Sequence, residues 1–346
     1  MRPRVVAFIP SLLILVACAT AGTEPLPGRP LHHVDGGFRN VDGAFTRPSG
    51  WTRWTFIARR TWQSLTSPRA FDAPRVANDG AGLRAVPPPQ AITWIGHATL
   101  LVQVDGLNVL TDPSWSDRAG PTSWIGARRV TAPGLAFEDL PRIDVVTISH
   151  DHYDHLDLPT VKRLAAADDP LFLVPLGMKA WFVDNGMPRV EELDWWEEHE
   201  HRGVRFVCTP AQHFSQRSLR DWNRRLWASW AVLGRERRFY HGGDTGYFAG
   251  FKEIGRRLGP FDVAALPIGA YLPPSIMKWV HLTPEEAVQA FTDLDARTLL
   301  GMHWGTFDLA DEPLDEPPGR MLAEVRRRGI DASRAWVLKI GETRAW

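Results

Sequence analysis

The densest set of chemically active side chains lies between residues 147 and 157, which read TISHDHYDHLD. The preceding run, IDVVTI, is short, apolar and β-branched, so it predicts a buried strand. His150 and His152 are two residues apart at the end of that strand and therefore point to the same side. Asp154 and His155 follow in the next turn. Four potential metal ligands are thus directed at one small volume.

Three further polar residues occupy comparable positions. His213 follows the predicted strand VRFVCTPAQ, Asp244 follows RRFYHGG, and His303 follows RTLLGM. Because each lies at or just past the C-terminal end of a strand, all of them could converge on one sheet edge. Five imidazoles and two carboxylates exceed the ligand set of one zinc ion but suit two metals that share a bridging carboxylate. Ligands without sulfur favour zinc, with iron or manganese as alternatives.

The elements that must position these residues follow a clear order. TLLVQVDGLNVLTD predicts a hairpin about Asp105 and Gly106. Helices are predicted after Asp157 as the cap, over FKEIGRRL, and over TPEEAVQAFTDL with a capping box from Thr283 to Glu286. Strands come first as hairpins and later alternate with helices. This order predicts an α/β fold with layered, mixed sheets.

The N-terminus has the pattern of a targeting segment. MRPR is basic, VVAFIPSLLILVA is apolar and too short to span a bilayer, and Cys18 follows at once. The tetrapeptide LVAC resembles a bacterial lipobox, in which the cysteine is acylated. We therefore predict a lipoprotein signal peptide over 1–17, lipidation at Cys18, a tether over 18–37 and a folded domain over 38–346. The predicted location is the cell envelope, with a lipid anchor at the periplasmic face of the outer membrane.

The composition narrows the classes of function. Forty basic and forty acidic residues give a net charge of zero, which offers no support for binding nucleic acid. With Cys18 acylated, Cys208 has no partner for a disulfide, and its strand-like context RFVCTP predicts a small buried residue. Sixteen tryptophans are unusually many; we expect most of them in the core and some at a lipid or substrate interface.

Two motifs identify a resemblance to a known superfamily. HDHYDH fits the HxHxDH signature of the metallo-β-lactamase superfamily, and GGDTG is similar to its bridging-aspartate motif. The stretch from WIGHATLLVQVDGLNVLTDP through MHWGTF resembles one branch, the N-acyl-phosphatidylethanolamine-hydrolysing phospholipases D, over roughly residues 38–310. The resemblance implies a four-layer αββα sandwich with the site at the sheet edges.

The resemblance also implies a ligand set and a reaction. It places His150, His152 and His213 on one metal, Asp154, His155 and His303 on the other, and Asp244 between them. The implied enzyme is a dinuclear zinc phosphodiesterase of phospholipase D type, which acts on N-acyl phosphatidylethanolamine-like lipids through a metal-bridging hydroxide. A metal-dependent lactone hydrolase and a non-catalytic metal-binding lipoprotein are the alternatives. The intact ligand set favours an enzyme, and a lipid-anchored chain with many aromatic residues favours a phospholipid substrate.

Several residues are expected to contact the substrate. Asp154 is a candidate proton shuttle. His281 matches a position that the phospholipase branch uses, as a phosphate contact or proton donor, with a core histidine as the alternative. Tyr153 is expected beside the metals, and Tyr271 and Trp279 flank the loop LPPSIMK, which suits an apolar substrate wall.

For the remaining histidines we expect simpler roles. His97 and His241 either orient a ligand or stabilise a turn. His32 and His33 fall in the predicted tether and are expected to have no role. His199 and His201, in WEEHEHRG, are expected on a solvated charged face.

The lipobox prediction is tested by Cys18→Ser. If Cys18 is acylated, the variant loses its anchor and appears in the soluble envelope fraction or as unprocessed precursor. Fractionation with the membrane, as for the parent chain, would refute the lipobox interpretation or reveal a second anchor.

Overall fold

The computed structural model describes residues 22, 24–41, 48–86 and 90–346, with the backbone alone at residue 65. The predicted signal peptide, Cys18 and the first part of the predicted tether lie outside the described residues. Among the described helices, none is both long and apolar enough to cross a bilayer.

The strands of the described chain are β1 His33–Val34, β2 Gly37–Phe38, β3 Ala91–Gly96, β4 Thr99–Val104, β5 Leu107–Thr111, β6 Arg118–Thr122, β7 Ile125–Arg128, β8 Val145–Thr147, β9 Leu171–Pro175, β10 Val190–Leu193, β11 Glu198–His201, β12 Val204–Thr209, β13 Ser229–Leu233, β14 Arg238–His241, β15 Phe261–Pro267, β16 Ala296–Met302, β17 Ala335–Trp336 and β18 Thr343–Ala345. The α-helices are α1 Gly50–Thr66, α2 Leu158–Asp168, α3 Lys179–Asp184, α4 Gly250–Leu258, α5 Pro274–Met277, α6 Pro284–Asp293 and α7 Glu316–Arg327.

Two seven-stranded mixed sheets form the centre of the molecule. The first has the strand order β10-β9-β8-β5-β4-β3-β18, and the second has the order β11-β12-β13-β14-β15-β16-β17. Along β4, Leu100, Val102 and Val104 join the core shared with the second sheet, whereas Leu101 faces the other way. This alternation is the two-residue period of a strand that is buried on both faces.

Helices cover both outer faces. On the first sheet, Leu101 packs in one apolar cluster with Val161 and Leu164 of α2 and Phe182 of α3. Helices α4, α6 and α7 contribute apolar side chains to the cluster that contains the second sheet. The architecture is therefore the four-layer αββα sandwich, and the predicted fold class is confirmed.

Parallel pairing brings the chemically active strand ends together. Strand β5 pairs with β8 so that Thr111 faces Thr147, which places the residues after both strands at one edge. In the second sheet, β14, β15 and β16 are parallel neighbours. Because parallel strands end on the same side, the segments that follow these strands gather at one edge of the sandwich.

The predicted hairpin turn and the capping box of α6 are present, and the cap of α2 differs from the prediction in its hydrogen bonds. The hairpin is confirmed: Asp105 and Gly106 have φ of 49° and 81°, and β4 and β5 pair around them. The capping box of α6 is also confirmed. Asp157 occupies the cap position of α2, but its carboxylate accepts hydrogen bonds from the backbone of Trp115 and Ser116 and from the Thr160 hydroxyl, and from no backbone N–H of the helix.

The end of the predicted tether packs against the domain. His32 and His33 each donate a ring N–H to Asp194, at 2.6 and 2.7 Å, on its two carboxylate oxygens. The His32 ring lies against Trp195, and Val34 is buried. The expectation that these two histidines have no role is therefore wrong. The physical reason is that Asp194, half-buried at the end of β10, needs hydrogen-bond donors.

Asp194→Ala tests this attachment. The variant leaves two partly buried histidines without an acceptor, so we expect the free energy of unfolding to fall by roughly 1–3 kcal/mol. Denaturant unfolding monitored by circular dichroism measures the change. Asp184→Ala, at the exposed end of α3, is the control and should change stability by less than about 0.5 kcal/mol. Equal effects of the two substitutions would contradict the proposed attachment.

Candidate metal centre

Seven side chains from four strand ends meet in one buried cluster. His150, His152, Asp154 and His155 lie between β8 and α2, and the other three follow β12, β14 and β16: His213, Asp244 and His303. These are the seven predicted ligands, and the structure brings all of them together.

The first group contains three imidazoles and Asp244. His152 Nδ1 lies 2.8 Å from His150 Nε2 and 3.2 Å from His213 Nε2. Oδ2 of Asp244 lies 3.8 Å from Nε2 of both His150 and His213. Three imidazole nitrogens that face one another need a cation or protons between them to offset the repulsion of their lone pairs.

The second group shares Asp244 and adds Asp154, His155 and His303. His155 Nε2 lies 3.2 Å from Asp244 Oδ2 and 3.5 Å from Asp154 Oδ2. His303 Nε2 lies 2.9 Å from Asp244 Oδ1 and 3.7 Å from Asp154 Oδ2. Asp244 is thus the residue common to both groups.

Unsatisfied polar atoms show that the cluster fits metal ions. The Nε2 atoms of His155 and His303 and Oδ1 of Asp244 are buried and have no hydrogen-bond partner. Buried polar atoms are normally paired, so this concentration of orphaned ligand atoms at one point matches a site built for cations.

Surrounding side chains fix which ring nitrogen faces the cluster. His155 donates Nδ1–H to Asp112 at 2.8 Å, and Ser149 donates its hydroxyl to the same carboxylate at 2.6 Å. Ser149 Oγ in turn accepts from His150 Nδ1 at 2.9 Å. His213 donates Nδ1–H to the carbonyl of Val280 at 2.8 Å. Each of these bonds leaves Nε2 with a free lone pair for a metal.

His97 and His241 have different positions. His97 Nε2 lies 2.9 Å from Asp154 Oδ2, and its ring centroid is 3.9 Å from that of His303. Burial first, and then His303, lower the pKa of His97 to about 3, so the neutral ring donates its N–H to the carboxylate. His241 instead donates to the carbonyl of Ala98. The ligand-orienting alternative therefore describes His97, and the turn-stabilising alternative describes His241.

The charges around Asp244 suit metal binding. Burial acts to raise the pKa of the Asp244 carboxyl, but His155, His303 and His281 hold it well below its usual range. Burial lowers the pKa of His150 and of His213 well below the ordinary value. Neutral imidazoles and ionised carboxylates are the forms that bind metal.

Two ligands carry protons that a metal would displace. Despite burial, the carboxylates of Asp244 and Asp154 raise the pKa of His155, and they raise that of His303 to about 9. Metal binding therefore releases protons from this half of the cluster.

Backbone conformation is unusual at the same place. His97, Asp112 and His303 have φ of 53°, 38° and 63°. Non-glycine residues in this region cost conformational energy and concentrate at functional sites. The folded sheets hold these three residues where their side chains reach the cluster.

A cavity of about 240 Å³ opens onto the cluster. Its polar residues are Arg53, His152, Asp154, Asp244 and His281, and its apolar residues are Phe56, Ile57, Phe214, Ala270, Ile276, Met277 and Leu309. The two kinds of lining give one cavity that can receive a polar group at the cluster and an apolar chain beside it.

His281 lines this cavity outside the ligand set. Its Nδ1 lies 3.9 Å from Asp244 Oδ2 and has no hydrogen-bond partner. Burial lowers the pKa of His281 to about 4, although Asp244 acts in the opposite direction. The ring is thus neutral and faces the cluster, which a histidine placed only for core packing would not require.

The three predicted aromatic substrate contacts lie elsewhere. Tyr271 is only 1% exposed and donates its hydroxyl to Glu316. The Tyr153 hydroxyl donates to the carbonyl of Arg217, and its ring lines a separate cavity. The side chain of Trp279 is outside the described lining, and its carbonyl accepts from Gln212. The loop reaches the cavity through Ile276 and Met277 and not through Tyr271 or Trp279.

Sequence reasoning missed Asp112 and the contribution of α1. Asp112 follows β5 as His150 follows β8, so its position at a strand end was an available signal. Arg53, Phe56 and Ile57 come from a helix far from any motif, and their place in the cavity depends on tertiary packing alone.

A family model described as a beta-lactamase superfamily domain matches residues 107–304. All seven clustered ligands fall inside this match. The chain belongs to the metallo-β-lactamase superfamily. It is a hydrolase of that fold, and metal dependence is a property of its family.

Individual relatives give more detail. An uncharacterised protein of Mycobacterium tuberculosis is 43% identical over 302 residues, which cover 84% of this chain and 79% of that protein. The N-acyl-phosphatidylethanolamine-hydrolyzing phospholipase D 1 of Caenorhabditis elegans is 47% identical over 228 residues, 63% of this chain and 64% of that enzyme. The isothiocyanate hydrolase from Delia radicum gut bacteria has the same fold, with a TM-score of 0.59 at 21% identity, over 74% of this chain and 99% of that structure.

Asp244→Asn and Asp112→Asn form a matched pair of buried carboxylate substitutions. Asp244→Asn removes the charge shared by both groups, so we expect a chain that retains fewer than two metals after dialysis. Asp112→Asn keeps every ligand but loosens His155, so two metals should remain at saturation with affinity reduced about 10–100-fold. Elemental analysis and chelator titration measure both quantities. Two tightly held metals in folded Asp244→Asn would contradict the shared position of Asp244.

Proposed function

We propose that this chain is a phospholipase D-type phosphodiesterase that hydrolyses N-acyl phosphatidylethanolamine-like lipids with two zinc ions. The observation that carries the proposal is the opening of the ligand cluster into a cavity with apolar walls. The identity to the C. elegans phospholipase supports the same substrate class. In the proposed reaction, water adds to phosphorus, the bond to the N-acylethanolamine oxygen breaks, and phosphatidic acid is the second product.

The two metals would be held by the two groups of ligands. His150, His152 and His213 would hold one ion, Asp154, His155 and His303 the other, and Asp244 would bridge them. Imidazole and carboxylate ligands favour zinc, with iron or manganese as alternatives. When bound, such ions supply a nucleophile at neutral pH and stabilise negative charge on a phosphate.

Asp154 and His281 are the proposed catalytic residues. Asp154 lines the cavity, and His97 holds one of its oxygens at 2.9 Å, so the carboxylate is oriented to accept a proton. His281 lies on the cavity side of Asp244 with an unpaired ring nitrogen. From there the neutral ring can donate a hydrogen bond to a phosphate oxygen, and, where a bound phosphodiester anion raises its pKa enough to protonate it, a proton to the departing oxygen.

The walls of the cavity favour a lipid over a small polar substrate. Phe56, Phe214, Ile276, Met277 and Leu309 surround the space beside the cluster. Contact with acyl chain removes apolar surface from water on both sides, which stabilises the complex by about 25 cal/mol per Å² of apolar area. Arg53, at the same cavity, adds a positive charge that attracts a phosphodiester.

The predicted anchor fits this proposal. A chain held at the cell envelope by an acylated Cys18 meets phospholipid directly, at the periplasmic face of the outer membrane. Support for this location comes only from the sequence of residues 1–19.

The direct test is incubation of zinc-loaded protein with N-acyl phosphatidylethanolamine in detergent micelles, with the products followed by mass spectrometry. The proposal predicts N-acylethanolamine and phosphatidic acid in equal amounts. Release of fatty acid would contradict phosphodiester cleavage, and hydrolysis of a long-chain lactone with no lipid cleavage would favour the lactone-hydrolase alternative.

His281→Ala separates chemistry from metal binding. We expect both metals and the fold to remain while turnover falls by on the order of 10²-fold or more, as removal of an acid–base group typically does. A nitrophenyl phosphodiester, whose leaving group needs no proton, should recover much of the loss if His281 is a proton donor. An unrecovered loss assigns it to phosphate binding.

The control for this experiment is His32→Ala, which removes a buried histidine at Asp194, outside the cavity lining. It should lower the melting temperature and leave turnover per folded molecule unchanged. Melting temperature, metal content and both rates are measured on one preparation. Normal turnover of His281→Ala on both substrates would remove His281 from the site.

A further inference from the structure

Helix α1 exposes an unusual amount of apolar surface. Trp51, Trp54 and Trp62 are 79%, 61% and 68% exposed, and Ile57 is 49% exposed. Among the described residues, the only other tryptophan exposed to this degree is Trp124, at 72%, between β6 and β7. Helix α1 contacts β7, so these side chains belong to neighbouring elements. We call Trp51, Trp54, Ile57, Trp62, Trp124 and Ile125 the α1 surface.

Helical geometry places the three tryptophans of α1 on one face. At 3.6 residues per turn, Trp51 and Trp62 are separated by about three turns and point in nearly the same direction, with Trp54 about 60° away. Arg53 and Phe56 occupy the opposite side and line the cavity above the ligand cluster. Ile57 is both exposed and part of the cavity lining, so it connects the exposed tryptophan face with the cavity.

The domain holds α1 in this orientation through ion pairs. Arg59 Nη2 lies 2.6 Å from Asp311, and Arg60 and Arg69 both contact Asp308. Asp308 and Asp311 follow β16 and its ligand His303 by only a few residues. The outward tryptophan face is therefore fixed in position relative to the cavity.

The charge of α1 and of the segment 118–128 indicates which kind of surface they would bind. Of the three arginines of α1, Arg59 and Arg60 are paired with Asp311 and Asp308, and Arg53 lines the cavity. The positive charge nearest the α1 surface therefore comes from Arg118 and Arg128 in the segment 118–128, which contains no Asp or Glu. Arg128 is exposed beside the α1 surface. Tryptophan with arginine and no acidic residue is the composition of helices that lie in a membrane interface, where indole rings enter the headgroup region and guanidinium groups contact phosphates.

We propose that the α1 surface docks on an anionic phospholipid bilayer and places the cavity mouth at the lipid headgroups. Docking rests on the exposed tryptophans, with Arg118 and Arg128 as the basic side chains that contact phosphates. Delivery of a lipid from the bilayer past Ile57 to the cluster rests in addition on the proposed function. This surface is distinct from an N-terminal anchor, which would hold the chain near a membrane without fixing its orientation.

A site-specific fluorophore tests docking independently of any anchor. Trp62→Cys and, as the control, Val183→Cys on exposed α3 are each placed in a Cys18→Ser chain and labelled with an environment-sensitive dye. The remaining cysteine, Cys208, is fully buried. Vesicles of phosphatidylethanolamine with phosphatidylglycerol are then added.

The proposal expects a blue shift and brighter emission at position 62 and no change at position 183. The shift should weaken with salt and with vesicles that lack phosphatidylglycerol, because basic side chains contribute to binding. No shift at position 62, or equal shifts at both positions, would overturn it. A shift that grows with protein concentration without vesicles would show instead that the surface contacts a second copy of the chain.

A triple substitution, Trp51→Ser with Trp54→Ser and Trp62→Ser, links docking to turnover. Hydrolysis of lipid in vesicles should fall at least about tenfold because interfacial aromatic anchors are lost. Hydrolysis of a soluble nitrophenyl phosphodiester should stay at the parent's rate. If the parent cleaves no lipid yet shows the shift at position 62, the proposed function fails and docking stands. Equal loss on both substrates would contradict a specifically interfacial role.

Discussion

The buried carboxylate of Asp244 is the interaction on which the rest of the site depends. Its oxygens lie between 2.9 and 3.9 Å from ring nitrogens of five histidines: His150, His155, His213, His281 and His303. A carboxylate that is 3% exposed is costly unless positive charge surrounds it. Without metal, the protons on His155 and His303 supply that charge, and bound cations would take the place of those protons. Because the buried Asp244 carboxylate needs positive charge around it, it is also the residue around which two metals can be held.

The direction of the strands brings the residues around Asp244 to one edge of the sheets. Parallel neighbours end at one edge, so ligands that are distant in sequence meet there without long loops. Gly243 shows how closely the segments before Asp244 and before His150 pack. It has φ of 56°, and a Cβ at this position would lie 2.5 Å from the Cβ of Ser149. Only glycine lets the segment before Asp244 pass this close to the segment before His150. The GGD sequence is therefore a packing requirement as well as a motif.

Sequence patterns predicted those parts of the molecule that depend on local information. The hairpin about Asp105, the capping box of α6 and the ligands at strand ends each follow from residues within a few positions of one another. The wall of the cavity could not be predicted in this way. Tyr271 flanks the right loop, but its hydroxyl is held by Glu316, and the backbone of Ala270 and Leu272 is held by the buried Glu312 carboxylate. These partners are some 40 residues away, and Ile276 and Met277 line the cavity instead. The contact of His32 and His33 with Asp194 escaped prediction for the same reason, because their partner is some 160 residues away.

The position of the family match along the chain separates what the superfamily shares from what this chain adds. Residues 107–304 contain every ligand of the cluster, together with Asp112, Ser149 and His281. Arg53, Phe56, Ile57 and Leu309 lie outside that match but line the cavity that leads to it. A dinuclear centre activates water in the same way whatever ester stands beside it. The choice of substrate must therefore come from the surrounding walls, and here the helix that forms one wall also carries the exposed tryptophans. Under the two proposals made above, a single element, α1, would serve both the selection of an apolar substrate and contact with the bilayer that contains it.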